Sequence, residues 1–207
     1  MTGRLDGKIA VITGGLSGIG LASVEKAIAE GARVVIGDIR DDVGDAIQDR
    51  FKGAAHYQHT DVTSEDAIAA LVEAAVQKFG RLDIIFNNAG ALGAPESFLE
   101  LTEQGLNRTI ALLTNSVVFG HKYAARQFIK QGGGGSIVST SSAAGLQGGW
   151  SAGGYTVAKH AVIGVARHAV AEFGRQGIRS NVICPGVIMT PIMAASFGVD
   201  ASDAERG

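Results

Sequence analysis

Ile9-Ala10-Val11-Ile12-Thr13-Gly14-Gly15-Leu16-Ser17-Gly18-Ile19-Gly20 is the stretch that decides the fold. Five residues suited to a buried strand run straight into a glycine-rich turn, and a helical period then extends over Gly18–Glu30. The same alternation recurs along the chain. Strands are expected at Ile9–Thr13, Arg33–Gly37, His56–Thr60, Leu82–Phe86, Ser136–Thr140 and Ser180–Ile183. Helices are expected at Gly18–Glu30, Asp42–Phe51, Ser64–Phe79, Glu103–Lys130 and Tyr155–Phe173. Strands separated by helices of this length need right-handed crossovers, so they form one parallel sheet covered on both faces, a doubly wound α/β fold. Such sheets bind ligands beyond the carboxyl ends of their strands, where the strand order reverses.

Working outward, Ala67, Leu71, Ala74, Ala75 and Lys78 mark one face of the third helix, and Thr63 with Asp66 reads as its capping box. Gly132–Gly135 precedes a strand, where a phosphate loop would follow one, so it reads as a helix-to-strand turn. The 30 glycines are roughly twice the ordinary share of about 7%, and they gather at the ends of apolar runs, where turns belong.

At 207 residues, 46% hydrophobic and 18% charged, the chain suits one well-packed domain. Its net charge of −2 and lack of a Lys/Arg cluster argue against nucleic-acid or lipid partners. No apolar run approaches the ~20 residues of a membrane span. Arg4, Asp6 and Lys8 give a polar start unlike a signal peptide, and the single Cys184 has no internal disulfide partner. The expectation is a cytoplasmic protein.

Glycines at the first turn let backbone approach a pyrophosphate, and the helix start offers free N–H groups and partial positive charge. Gly14, Ser17, Gly18, Ile19 and Gly20 are therefore candidate dinucleotide contacts, although their G-x-x-x-G-x-G spacing differs from G-x-G-x-x-G. Asp38 follows Gly20 by 18 residues and ends the second strand, with Ile39 beside it. A carboxylate there accepts hydrogen bonds from adenosine ribose hydroxyls and repels a 2′-phosphate, which favours NAD. Arg40 keeps NADP open, because a guanidinium can hold that phosphate.

Tyr155 and Lys159 stand at i, i+4 and so share a helix face. A phenol titrates near pH 10, too high for a base at neutral pH, and a nearby ammonium favours its ionised form. Ser142 precedes Tyr155 by 13 residues and follows a strand, which puts it at the ligand-binding edge. Asn87-Asn88-Ala89-Gly90 and Pro185-Gly186-Val187-Ile188-Met189-Thr190 end two further strands at that edge.

These motifs, in this order and over nearly the whole chain, closely resemble the short-chain dehydrogenase/reductase family. The resemblance implies a Rossmann-type, single dinucleotide-binding and catalytic domain over residues 1–207, short of the family's usual final helix and seventh strand. It implies Ser142 as the group orienting the substrate oxygen and Tyr155 as acid/base. It implies that Lys159 holds the nicotinamide ribose and lowers the Tyr155 pKa. Asp61 and Val62 would contact adenine, Asn88, Ala89 and Gly90 the adenosine ribose. Pro185, Gly186, Ile188 and Thr190 form the segment holding the carboxamide end. A homo-oligomer, dimer or tetramer, built through the long helices is also implied.

One family feature is displaced. An asparagine usually completes a proton relay on the helix after the fourth strand, and Leu113 occupies that place, with Asn115 two residues on. Two positions rotate a side chain by roughly 200°, so either a local helix distortion brings Asn115 in or the relay runs otherwise. The five histidines, His56, His59, His121, His160 and His168, show no metal-binding spacing, and no metal is expected. Trp150 lies between Ser142 and Tyr155, where it covers substrate or packs. With Leu92, Leu146, Met189, Met193 and Phe197 it suggests an apolar site for an alicyclic alcohol or ketone. Three readings stand: an NAD-dependent oxidoreductase on secondary alcohols, an NADP-dependent carbonyl reductase using Arg40, and a non-catalytic dinucleotide-binding regulatory module.

Overall fold

The computed structural model describes residues 3–196. The sheet strands are β1 (Ile9–Thr13), β2 (Arg33–Asp38), β3 (Ala55–His59), β4 (Ile84–Asn87), β5 (Gly135–Thr140) and β6 (Ile178–Ile183). All pairings are parallel, in the order β3-β2-β1-β4-β5-β6. The order reverses between β1 and β4, so the tips of these strands leave a crevice there. This is the doubly wound, Rossmann-type α/β architecture read from the alternation.

The central strand shows why both sheet faces are covered. Residues alternate across a strand, and every residue of β1 is buried. Ile9 and Val11 join a core with Leu71, Leu82, Phe128 and Ile137, under α3 (Glu65–Phe79) and α5 (Ser116–Gln131). Ala10 and Ile12 face the other way, into a core with Val24, Val34, Ile36 and Phe86 under α1 (Gly18–Ala29). Each fully buried aliphatic side chain contributes about 1.5–3 kcal/mol, so polar residues on either face of β1 would break the sheet at its centre.

Three local expectations need correction. Ser64, not Thr63, caps α3: its hydroxyl accepts from Ala67 N at 3.3 Å. Thr63 is instead held by Asp61, whose Oδ1 accepts from both its N–H and its hydroxyl. The helix expected over Glu103–Lys130 is broken into α4 (Glu103–Ile110) and α5 by a π turn at Ala111–Asn115. Periodicity missed this because one wider turn leaves the apolar spacing on each side intact. The strand expected over Leu82–Phe86 begins later, at Ile84: Leu82 N donates to the Gln131 side chain, outside the ladder.

Gly132, Gly133 and Gly134 all have positive φ and form the turn from α5 into β5. Two elements were not anticipated on the catalytic side: a 3₁₀ turn at Ala143–Gly145 and α7 (Pro191–Ser196). The remaining helices are α2 (Asp41–Arg50) and α6 (Gly153–Phe173). Among the described residues, no helix is long and apolar enough to cross a membrane.

Candidate active site

A cavity of about 440 Å³ opens along the carboxyl tips of the strands, at the reversal point. One end of its wall is the glycine turn. Gly14 has φ +64°, and a Cβ there would lie 2.8 Å from Ala89 Cα. Gly20 serves packing: its Cβ would meet the Gly14 carbonyl oxygen at 1.9 Å, and Gly20 itself does not line the cavity. Gly14, Ser17, Gly18 and Ile19 do line it. The Ser17 side chain makes no cap on α1, so the helix start keeps its N–H groups for a ligand.

The turn is stitched to its neighbours. Thr13 Oγ1 accepts from Asn88 N at 2.9 Å and Ala89 N at 3.1 Å. The Asn88 amide donates to the Thr13 and Gly14 carbonyls, and Thr140 Oγ1 donates to Asn88 Oδ1. Asn88 thus ties β1, β4 and β5 together while lining the cavity with Ala89 and Gly90.

Asp38 is similarly fixed. Its carboxylate accepts from Leu16 N at 3.1 Å, Ile39 N at 2.8 Å and Arg40 N at 3.2 Å. The Arg40 guanidinium folds back, donating to the Leu16 carbonyl with its Nε 3.7 Å from Asp38. Ile39, Asp61 and Val62 complete this end of the cavity.

At the opposite end, β5 delivers Ser142 and α6 delivers Tyr155 and Lys159. Ser142 Oγ accepts from Ala144 N at 3.2 Å, and its hydroxyl is near enough to the Tyr155 phenol to act on its ionisation. Lys159 is 4% exposed; its Nζ donates to the Thr140 carbonyl at 2.8 Å and lies 5.6 Å from the Tyr155 ring centroid. Burial lowers the Lys159 pKa to about 8, against a smaller opposite effect of Cys184. The Tyr155 phenol is pushed up by burial, and the neighbouring Ser142 hydroxyl opposes that push more weakly.

Pro185, Gly186, Ile188 and Thr190 line the cavity, with Thr190 Cγ2 placed 3.1 Å from where a Gly18 Cβ would be. Leu92 and Met193 also line it. Trp150, Leu146 and Met189 do not; all three are more than half exposed, and Phe197 lies outside the described residues.

The π turn answers the question of the displaced asparagine. The helix is distorted there, yet Asn115 is exposed and away from the cavity, whereas Leu113 is buried. A Cβ on Gly90 would lie 3.1 Å from Leu113 Cδ2. The residues that sequence reasoning missed include Leu112, Thr140 and Ser141. The two hydroxyl residues adjoin Ser142 in sequence, a signal that was present. Leu112 gave none, because its position depends on the π turn.

Each histidine has a local partner: His56 with Gln48, His59 with Asp41, His121 with the Val117 carbonyl and Ser180, His160 with the Thr156 carbonyl, His168 with Glu172. Among the described residues no cluster of His, Cys, Asp or Glu could hold a metal.

A family model described as short chain dehydrogenase matches residues 8–198. The chain belongs to the short-chain dehydrogenase family. This short-chain dehydrogenase is 41% identical over 199 residues to momilactone A synthase of Oryza sativa subsp. japonica, covering 95% of the chain and 72% of the relative. It is 40% identical over 200 residues to 2,5-dichloro-2,5-cyclohexadiene-1,4-diol dehydrogenase of Sphingobium indicum, covering 95% and 79%. The crystal structure of levodione reductase superposes with a TM-score of 0.87 at 32% identity, over 93% of this chain and 76% of that one. The family consists of oxidoreductases that bind a nicotinamide dinucleotide. The residues present here fit one: glycines where any side chain would clash, an uncapped helix start, and a cavity running from Asp38 to Tyr155.

Proposed function

We propose that this short-chain dehydrogenase exchanges a hydride between NAD(H) and a secondary alcohol or ketone of apolar, alicyclic character. One observation carries the reading: Ser142, Tyr155 and Lys159 meet at the end of a cavity whose other end is the glycine turn and Asp38. A nicotinamide dinucleotide bound there supplies the hydride acceptor or donor. Tyr155 takes the alcohol proton in oxidation and returns a proton to the forming alkoxide in reduction. Ser142 donates a hydrogen bond to the same oxygen as charge develops on it. Lys159, anchored on the Thr140 carbonyl and 5.6 Å from the Tyr155 ring centroid, would hold the nicotinamide ribose and supply positive charge near the phenol. The choice of NAD rests on Asp38, and on Arg40 being occupied by the Leu16 carbonyl and Asp38. The substrate class is supported by Leu92, Leu112, Ile188 and Ile192 around the reacting end, and by relatives named for a cyclohexadienediol and for levodione.

The test is turnover with NAD and a panel of cyclic, steroidal and aliphatic secondary alcohols, followed by NADH absorbance. Tyr155→Phe should lower kcat by roughly 10³-fold or more and leave the NADH dissociation constant within about twofold. Near-normal turnover by that variant refutes the acid/base assignment.

A further inference from the structure

Three successive residues at the end of β5 grip α6 at three points. The Thr140 carbonyl receives Lys159 Nζ at 2.8 Å. Ser141 Oγ donates to the backbone carbonyl of the same Lys159 at 2.7 Å. Ser142 stands beside the Tyr155 hydroxyl. The first and third of these contacts use groups assigned to the chemistry. The second does not, and it is the most deeply placed of the three donors: Ser141 is 2% exposed.

Carbonyls inside an α-helix ordinarily accept from the N–H four residues ahead, so a further donor from outside is not required for helix formation. A buried serine hydroxyl, by contrast, must find an acceptor or bear the cost of its lost hydration. The Ser141 bond therefore specifies how β5 and α6 sit against each other. Packing around it enforces the same placement. A Cβ on Gly145 would lie 2.2 Å from Ser141 Oγ and 2.7 Å from the Lys159 carbonyl oxygen. The turn after Ser142 can close on α6 only because residue 145 has no side chain. Ser141 N donates to the Ile183 carbonyl and Ala143 N to the Pro185 carbonyl, so the hydroxyl stands on a segment fixed on both sides. Thr114 Oγ1 donates to the adjacent Ala158 carbonyl, holding the neighbouring peptide.

We propose that Ser141 is a positioning residue for the reaction: by holding the Lys159 carbonyl, it fixes the height of α6 and so the separation between Ser142 and the Tyr155–Lys159 pair. This rests on the acid/base reading of Tyr155 above. The placement matters because proton transfer needs the two hydroxyls on one substrate oxygen, and a displacement of about 1 Å costs up to 10²-fold in rate. The titratable groups around Lys159 are Tyr155 on its own helix and Cys184 following β6. A shift of α6 therefore reaches the phenol through its distances to Lys159 and Ser142.

The test uses the full chain, NAD and the best alcohol from the panel above. Ser141→Ala should lower kcat about tenfold while the NADH dissociation constant and the alcohol KM stay within about twofold. The alkaline-rising limb of kcat for oxidation should move upward by about half a pH unit, because the phenol loses part of its support. Ser141→Thr, which keeps the hydroxyl, should restore most of kcat and return the limb to its original place. A Ser141→Ala enzyme with unchanged kcat and pH profile overturns the positioning role. So does one that loses its cooperative melt and NADH affinity together with turnover, since that is a structural role only. Wild-type turnover that survives Tyr155→Phe overturns the acid/base reading instead, which separates the two failures.

Discussion

The glycine turn after β1 and the tip of β5 face one cavity but are built in different ways. At the turn, function is carried by backbone. Gly14 and Gly20 permit contacts that no side chain would allow, and Asp38 is already held by three N–H donors. At β5 and α6, the proposed function is carried by side chains: a buried ammonium, a phenol disfavoured as an anion by burial, and the Ser142 hydroxyl beside it. Around them the cavity's rim is partly exposed and apolar, with Leu92 at 38% and Ile188 at 46% exposure. The difference teaches where each property is stored. Recognition of a common cofactor can be fixed in rigid backbone, whereas reactivity costs stability and substrate choice is left to loosely held side chains.

The largest effect expected from this contrast concerns Lys159. Its pKa is about 8 in the folded chain against an ordinary 10.5, a gap of roughly 3 kcal/mol. Below pH 8 both folded and unfolded chains carry the charge, and the cost of burying it is fully present. Between pH 8 and 10.5 the folded chain releases its proton first, so stability rises with pH. Lys159→Met should therefore be more stable than wild type by about 2–3 kcal/mol at pH 7, and the gain should fade towards pH 10.5. Urea denaturation across that range checks it. A constant gain would mean lost packing or hydrogen bonding, not charge, separates the two proteins.

A smaller effect is expected at the rigid end. Asp38→Asn keeps the shape and removes the repulsion of a 2′-phosphate. The ratio of NAD to NADP dissociation constants should move towards NADP by about 30-fold, or about 2 kcal/mol. Fluorescence titration with the two reduced cofactors reads it directly. The smallest effect is expected at the exposed rim. Leu92→Ala should raise the KM of an apolar alcohol about fivefold, near 1 kcal/mol, with cofactor affinity and kcat unchanged. A fall in kcat instead would place Leu92 in the reacting geometry and blur the contrast.

Much of the molecule was legible because its signals are local. β1, its glycine turn and α1 lie in one stretch of sequence, and the Tyr155–Lys159 spacing belongs to a single helix. The parallel sheet also followed, since strands alternating with helices need crossovers; its strand order came only with the structure. What stayed hidden depends on contacts between distant segments. The Ser141–Lys159 bond spans 18 residues and shows itself only once β5 and α6 are packed. The cap of α3 fell to Ser64 because Asp61 had already claimed Thr63. The balance on Tyr155 also depended on burial, which spacing does not encode.

The π turn at Ala111–Asn115 has a wider consequence for the long helix it interrupts. An α-helix advances about 100° per residue, so a single wider turn works like a swivel between two shafts. It lets Leu113 point inward beneath Gly90 while Phe128, further along, still meets the sheet. Removing one residue from that segment would relax the wide turn to an ordinary α-helical one with the flanking parts still in place, and would change which residue stands where Leu113 now does. The length of this short stretch, more than its composition, therefore sets what lies beneath the reacting groups.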